Sequence, residues 1–275
     1  MNKKISFIGA GNMGGAIIKA VCRKAAPEDV LITDIDMAKC ADLAQETRCH
    51  ITDSVFTAVK EGTYIFLCVK PQVLEDLIRE INPLLENFIN KGEEKIIVSI
   101  AAGVTLEKLK GWLGQKLKDM PLIRMMPNTP VAIGKGMSAI TAGSDVSEKI
   151  IAELQDILAE TGKVEKIPES LIDAFGTVNG CGPAFTYMYI EALADGAVLT
   201  GLSRTQALTY AAQMVLGSAS MVLETDKHPE ALKDAVCSPK GSTIVGVAAL
   251  ERNGFRSSVI EAVTDAYNKT VDLLD

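Results

Sequence analysis

The sequence predicts an α/β protein in which a doubly wound parallel sheet is followed by an all-helical part. Two observations support this fold class. Short apolar segments of strand type alternate with helix-like segments up to about residue 162, and strand-like alternation then gives way to helix-favouring Ala, Leu, Met and Glu. We therefore divide the 275 residues into two predicted domains, 1–163 and 164–275.

The strands and helices of the first domain follow from its apolar pattern. The predicted strands are Lys4–Ile8, Val30–Thr33, Tyr64–Val69, Lys95–Ile100, Pro121–Met126 and Met137–Thr141. Apolar residues at helical spacing predict helices over Met13–Lys24, Val73–Phe88 and Val146–Glu160. The strands are apolar almost throughout, which is typical of a parallel sheet covered by helices on both faces.

The second domain carries clear signals for the ends of its helices. Ser203-Arg204-Thr205-Gln206 has the pattern of a capping box that opens a helix. Gly201, just before it, is predicted to close the preceding helix.

The composition disfavours several classes of protein. A net charge of −7 argues against a nucleic-acid partner, which would require a basic face. The longest apolar runs are too short to span a membrane, and no signal-peptide pattern is visible, so we expect a cytoplasmic protein. The six cysteines form no C-x-x-C pair and only two histidines exist, so we expect neither a metal site nor a disulfide framework.

A glycine-rich segment follows the first predicted strand. Gly9-Ala10-Gly11-Asn12-Met13-Gly14 matches G-x-G-x-x-G and opens the first predicted helix, which is the context of a dinucleotide-binding Rossmann domain. Gly9 permits the tight turn, Gly11 lets the backbone approach a pyrophosphate, and Gly14 allows close packing of strand and helix. The alternative is a glycine-rich turn that binds no ligand.

Asp34 stands where such domains carry an acidic residue, at the end of the second strand. A carboxylate there accepts hydrogen bonds from the adenosine ribose and repels a 2′-phosphate, so it favours NADH over NADPH. The alternative is that Asp34 caps the helix beginning near Met37, as Asp36 also could. Lys39 and Arg48 are close enough in sequence to compensate the charge of a 2′-phosphate.

Several further blocks point to one family. They are Cys68–Gln72, Ser99–Val104, Arg124–Pro130, Asn179–Phe185, Glu191–Gly196 and His228–Ile244. With the opening glycine-rich loop, they make the sequence resemble the pyrroline-5-carboxylate reductase family over essentially its whole length. Ser238–Ile244 is the most specific of these blocks.

The resemblance implies a Rossmann domain followed by a helical dimerisation domain, in a homo-oligomer built from dimers. It also implies reduction of 1-pyrroline-5-carboxylate to L-proline by NADPH or NADH, the last step of proline biosynthesis. The active site would lie where the helical domains of two subunits meet the cofactor. The residues implied at the nicotinamide-ribose end of the cofactor groove are Val69, Lys70, Pro71, Ala101 and Ala102.

The resemblance also implies a substrate loop near the start of a helix. Ser238, Gly241, Ser242 and Thr243 would hold the substrate carboxylate and ring nitrogen. Hydroxyls and backbone amides at a helix start suit a carboxylate. Thr243 is the candidate catalytic residue, as an orienting or proton-relaying hydroxyl.

The chain departs from the family pattern at a few positions. Lys240 stands where the family usually has a second glycine after the proline, and Asn179 and Cys181 replace small residues of a Ser-Gly-Ser-Gly-Pro type motif. A lone cysteine of this kind is more often a packing residue than a nucleophile.

Two other classes of function compete with this interpretation. A related two-domain dehydrogenase would normally place a lysine in the first long helix of the second domain, and Pro183–Gly201 contains none. A non-catalytic dinucleotide-binding regulator would have lost the hydroxyls of the substrate loop, which are present.

Overall fold

The computed structural model describes residues 4–272, so residues 1–3 and 273–275 of the two predicted domains lie outside the described residues. The chain divides into two compact units, Met1–Gly180 with Lys269–Asp275, and Cys181–Asn268. The predicted domain limits of 1–163 and 164–275 stay a prediction.

The first unit is built on an eight-stranded sheet with strand order β3-β2-β1-β4-β5-β6-β7-β8. Its strands are β1 (Ile5–Ile8), β2 (Val30–Thr33), β3 (His50–Ile51), β4 (Tyr64–Leu67), β5 (Ile96–Ser99), β6 (Leu122–Met126), β7 (Gly136–Ala142) and β8 (Gly162–Lys166). Strands β1 to β6 pair in parallel, and the order of β1 to β6 is that of a doubly wound dinucleotide-binding sheet. The predicted fold class is confirmed.

Two strands depart from the predicted parallel arrangement. β7 runs antiparallel to β6, and β8 is parallel to β7. The connection between β6 and β7 contains only a 3₁₀ turn, Thr129–Ile133, which Gly134 ends at φ +70°. A parallel crossover needs about a dozen or more residues, so this short connection requires the chain to reverse.

The helices of the first unit cover both faces of the sheet. They are α1 (Asn12–Val21), α2 (Met37–Thr47), α3 (Val55–Glu61), α4 (Pro71–Asn90), α5 (Leu106–Leu113), α6 (Glu148–Ile157) and α7 (Ile172–Gly176). Side chains alternate along each strand, so Phe7 and Phe66 stack at 4.6 Å on the face of α1, α2 and α6, while Ile65 and Leu67 pack with α3, α4 and α5.

The second unit is all-helical, as predicted. Its helices are α8 (Gly182–Leu199), α9 (Arg204–Glu224), α10 (Pro229–Ala235), α11 (Ser242–Arg252) and α12 (Phe255–Asp272), and a π-helical turn, Thr177–Cys181, precedes them. The capping box at Ser203 is confirmed, since its hydroxyl accepts from the Gln206 amide and the Gln206 side chain accepts from the Ser203 amide. Gly201, at φ +105°, follows the last turn of α8.

The second unit buries very little apolar surface of its own. Among its described residues, the buried apolar side chains are Ala194, Ala207 and Ala211. Large apolar side chains on every one of its long helices are exposed, among them Met188, Leu216, Leu223, Val245 and Ile260. No described helix is long and apolar enough to cross a membrane.

Candidate active site

The predicted cofactor residues meet at one edge of the sheet. Gly9 follows β1, Asp34 follows β2, Lys70 lies just beyond β4, and Ala101 lies just beyond β5. These strands are parallel, so their carboxyl ends share an edge, and the chain order reverses between β1 and β4. Ligands of doubly wound sheets bind in the crevice at such a reversal.

The three glycines of the loop have different physical reasons to be glycine. Gly9 has φ +107°, and a Cβ there would lie 2.6 Å from the carbonyl oxygen of Cys68. A Cβ on Gly14 would lie 2.5 Å from the Gly9 oxygen. Gly11 has φ −66°, and a Cβ there would meet no protein atom within 4 Å. The protein itself therefore does not require glycine at residue 11, and the open backbone fits a bound pyrophosphate.

The start of α1 completes this anion site. Asn12 and Met13 are the first residues of the helix, Gly11 is its N-cap without a side-chain bond, and its first turn carries no acidic residue. The first-turn amides of a helix have no partner within the helix, and they lie at the positive end of its dipole. This geometry suits a phosphate.

Asp34 contacts the glycine-rich loop directly. Its Oδ2 accepts a hydrogen bond of 2.6 Å from the amide of Ala10, and its Oδ1 accepts one of 2.8 Å from the amide of Asp36. The N-cap of α2 is Asp36, so the alternative in which Asp34 caps that helix is wrong. Lys39 pairs with Asp36 at 3.3 Å.

Ile35 is a candidate site residue that the sequence interpretation did not name. It follows Asp34 at the same edge of the sheet, and its side chain is fully exposed. An aliphatic side chain between two aspartates directly after a buried strand is the signal that could have identified it, because an exposed apolar surface at this edge suits an aromatic ring such as adenine.

The other half of the predicted groove is formed by the short segments that follow β4 and β5. Lys70 is the N-cap of α4 and Pro71 its first residue, while Ala101 is buried and Ala102 exposed. Val69 is half-buried and joins Cys68 to this helix start. Burial raises the pKa of the Cys68 thiol, which lies beside the glycine-rich loop.

The predicted substrate loop lies in the second unit. The amide of Gly241 donates to the carbonyl of Ser238 at 3.0 Å, and Lys240 has φ +62°, which is the pattern of a type II turn with Pro239 in its second position. This position favours glycine, and here a lysine occupies it. A Cβ on Gly241 would lie 2.3 Å from the Ser238 hydroxyl.

Helix α11 begins directly after this turn. Gly241 is its N-cap, without a side-chain bond, and Ser242 and Thr243 are its first two residues, both exposed. No acidic residue lies in the first turn. The hydroxyls and the first-turn amides together form a site suited to a carboxylate.

Two other family-like blocks hold the structure together. Arg124 is buried and pairs with Glu169 at 3.3 Å and with Asp173 at 2.9 Å. The side-chain amide of Asn128 donates to the Asn179 side-chain oxygen at 2.9 Å, within the π-helical turn. These side chains are engaged in bonds within the first unit, so we assign them no catalytic role.

Among the described residues, no group of three His, Cys, Asp or Glu side chains is placed to hold a metal ion. His228 caps α10, where its Nδ1 accepts from the amide of Glu230 at 3.2 Å.

A doubly wound sheet with a glycine-rich loop at its chain reversal is typical of dinucleotide-binding proteins. Two family matches show which kind of dinucleotide-binding protein this is. Residues 4–103 match the family described as NADP oxidoreductase, coenzyme F420-dependent. Residues 169–273 match the family described as pyrroline-5-carboxylate reductase dimerisation. The protein is therefore an oxidoreductase that binds a nicotinamide dinucleotide.

Full-length relatives narrow the class to one family. Pyrroline-5-carboxylate reductase from Escherichia coli is 41% identical, with 99% of each chain covered, and that from Synechocystis is 38% identical with the same coverage. The solved pyrroline carboxylate reductase of Plasmodium falciparum with NADP bound is 28% identical, with a TM-score of 0.85 and coverage of 100% of this chain and 99% of that one. The chain belongs to the pyrroline-5-carboxylate reductase family.

Proposed function

We propose that the enzyme reduces 1-pyrroline-5-carboxylate to L-proline in the cytoplasm, as the last step of proline biosynthesis. The observation that best supports dinucleotide use is Gly11, whose open backbone at the chain reversal has no explanation within the protein itself. The substrate follows from the full-length relatives, which are pyrroline-5-carboxylate reductases.

The cofactor is held by the glycine-rich loop and the strand ends beside it. The first-turn amides of α1, at Asn12, Met13 and Gly14, bind the pyrophosphate. The segments that face the nicotinamide ribose are Val69, Lys70 and Pro71 beyond β4, and Ala101 and Ala102 beyond β5. The reduced nicotinamide supplies the hydride, while the protein aligns it with the imine carbon.

The substrate is held by the loop that opens α11. The Ser238 hydroxyl and the first-turn amides of Ser242 and Thr243 bind the carboxylate, and Gly241, which has no side chain, leaves that hydroxyl its space. Thr243 contacts the ring nitrogen through its hydroxyl, which can orient the nitrogen or relay a proton to it. A hydroxyl is too weak a base to remove the proton from the imine nitrogen, so the imine stays protonated and accepts hydride readily.

We propose that NADH is preferred over NADPH. The Asp34 carboxylate is hydrogen-bonded to the glycine-rich loop, beside the proposed place of the adenosine ribose. Lys39 pairs with Asp36 and so does not compensate the charge of a 2′-phosphate. Contact between this carboxylate and the 2′-phosphate of NADPH would cost on the order of 1–3 kcal/mol, which lowers kcat/KM with NADPH roughly ten- to hundredfold relative to NADH.

A panel of imine and keto-acid substrates, each with NADH and with NADPH, tests this function. We expect oxidation of the reduced nicotinamide only with pyrroline-5-carboxylate, accumulation of proline, and a kcat/KM about tenfold or more higher with NADH. Nicotinamide absorbance and proline analysis are the measurements.

The control for this panel is Thr243→Val, which keeps the side-chain volume and removes the hydroxyl. It should lower kcat by about tenfold or more and leave the dissociation constant of NADH unchanged. Dinucleotide binding without proline formation, under both cofactors, would instead favour the non-catalytic regulator.

A further inference from the structure

Asp34 links the glycine-rich loop to the end of β2. The amide of Gly9 donates to the carbonyl of Thr33 at 2.8 Å, and the next amide, that of Ala10, donates to Asp34 Oδ2 at 2.6 Å. The other oxygen of Asp34 accepts from the amide of Asp36 at 2.8 Å. Two successive peptides of the loop are thus bonded to the neighbouring strand, and the second of these bonds uses a side chain.

These bonds fix the part of the loop that comes directly before Gly11. A hydrogen bond from an amide to an ionised carboxylate is short and about twice as strong as one between neutral groups. Without it, the Ala10 side chain would still pack in the core, but the described contacts would leave its amide without an acceptor. The orientation of that peptide sets the direction in which Gly11 and the first turn of α1 present their amides.

A role limited to discriminating the 2′-phosphate does not account for this geometry. Discrimination by charge requires a carboxylate near the ribose, but it requires no bond to the Ala10 amide. A role as the cap of α2 does not account for it either, because Asp36 is the N-cap of that helix. Each carboxylate oxygen accepts more than one hydrogen bond, so Asp34 can contact the loop and a ribose hydroxyl together.

We propose that Asp34 is a positioning residue, which aligns the glycine-rich loop for the pyrophosphate through the Ala10 amide, whichever dinucleotide is bound. The proposal rests on the proposed function, in which the loop binds the pyrophosphate. It separates two contributions of one side chain, because the charge selects the dinucleotide and the hydrogen bond to the loop supports affinity for both.

Three variants separate these contributions. Asp34→Ser removes the charge and the bond to Ala10, and Asp34→Asn removes the charge but keeps an acceptor oxygen. Asp36→Ser is the matched control, since it removes a neighbouring charge that pairs with Lys39 and does not bond to the loop. The probe is an NADH analogue whose adenosine ribose lacks both hydroxyls, so that no direct contact of Asp34 with the ribose contributes.

We expect Asp34→Ser to weaken binding of this analogue by about tenfold or more, as the loss of a charge-assisted hydrogen bond predicts. Asp34→Asn should stay within about threefold of the unsubstituted enzyme, and Asp36→Ser should not change the affinity. With NADH, Asp34→Ser should raise KM, whereas with NADPH the lost loop bond should offset the relief of charge repulsion. Titration of nicotinamide fluorescence gives the affinities, and thermal unfolding of each variant shows that the fold is kept.

Equal affinity of Asp34→Ser and the unsubstituted enzyme for the analogue would overturn the positioning role. So would an Asp34→Asn variant that binds as weakly as Asp34→Ser. The proposed function fails separately, and this inference with it, if the unsubstituted enzyme binds neither NADH nor NADPH. The NADH to NADPH ratio, which both Asp34 variants should shift toward NADPH, reports on the charge alone.

Discussion

Gly11 is the residue at which ligand binding, and not the protein's own packing, accounts for a glycine. Valine at this position should reduce the affinity for NADH by more than about a hundredfold, because its side chain occupies the space of the pyrophosphate. The free energy of unfolding should change little, since a Cβ at this position meets no protein atom within 4 Å. Cofactor titration and thermal unfolding measure the two effects.

Gly111→Val is the matched control for this substitution. Gly111 lies near the end of α5, and a Cβ there also meets no protein atom within 4 Å, so this variant should bind NADH normally. Equal affinities of the two variants would mean that the loop does not face the cofactor.

At the scale of residues, the sequence predicted which residues form the site better than it predicted the hydrogen bonds that they make. The glycines and Asp34 could be identified by spacing because the strand-turn-helix geometry fixes it. The bond from the Ala10 amide to Asp34 could not, since these residues are 24 positions apart and meet only when β1 and β2 pair. The φ of +62° at Lys240 was also hidden, because residue type alone predicts an ordinary backbone there.

At the scale of elements, length and periodicity decided which were predictable. The long helices α4 and α9 and the buried strands β4 and β5 were predicted because many side chains repeat the pattern. β3 has two exposed residues and α3 only seven residues, too few for a period to show. α5 and β8 were missed as well; β8 is largely exposed at the end of the sheet, so its side chains carry no buried alternation.

Lys95 stabilises the end of α3 from within the core. Its buried ammonium donates to the carbonyls of Val59 at 3.0 Å, Lys60 at 2.6 Å and Gly62 at 2.8 Å. Burial lowers the pKa of this lysine. Lys95→Met should cost about 2–4 kcal/mol of unfolding free energy, because the carbonyls would lose their donor in a buried place. Urea unfolding followed by circular dichroism measures it.

Lys91→Met is the comparison for this prediction. The Lys95 ammonium lies 4.5 Å from the centre of the Phe88 ring, and Lys91, exposed just after α4, lies over the same ring at 6.0 Å. Its substitution should change the unfolding free energy by no more than about 0.5 kcal/mol. A similar loss of unfolding free energy in both variants would show that the contact with the Phe88 ring, and not the hydrogen bonds to the end of α3, accounts for the stability.

At the scale of the whole molecule, the described part of the second unit leaves much apolar surface uncovered. Helices that are apolar on all sides belong in an interior, and α8 and α9 bury only a few alanines in one chain. We propose a homo-oligomer built from dimers, in which the helical units of two copies cover each other, and in which the interface is large and isologous. We expect no monodisperse monomer at micromolar concentration in light scattering coupled to gel filtration.

Two isoleucines of similar exposure test where the interface lies. Ile260 on α12 is 65% exposed and Ile133 in the first unit is 74% exposed. Ile260→Glu should dissociate the dimer or shift its equilibrium by at least about tenfold, whereas Ile133→Glu should not. A dimer that withstands the first change and is lost with the second would place the interface on the first unit.

The sheet was predictable at this scale, and its final reversal was not. Alternation of strands and helices determines a parallel sheet with crossovers of one hand, but the antiparallel β7 depends on the length of a single connection. No pattern in the sequence distinguishes that connection from an ordinary loop.

The scarcity of buried side chains in the second unit has a consequence for how the chain matures. The sheet unit has its own cores and lies almost wholly toward the amino end, so it can fold while the rest of the chain is still on the ribosome. In the proposed homo-oligomer, the helices that follow would reach their final state only by meeting another copy. Maturation would then end in a second-order step, and newly made chains at low abundance would wait longest with apolar surface open to chaperones and proteases.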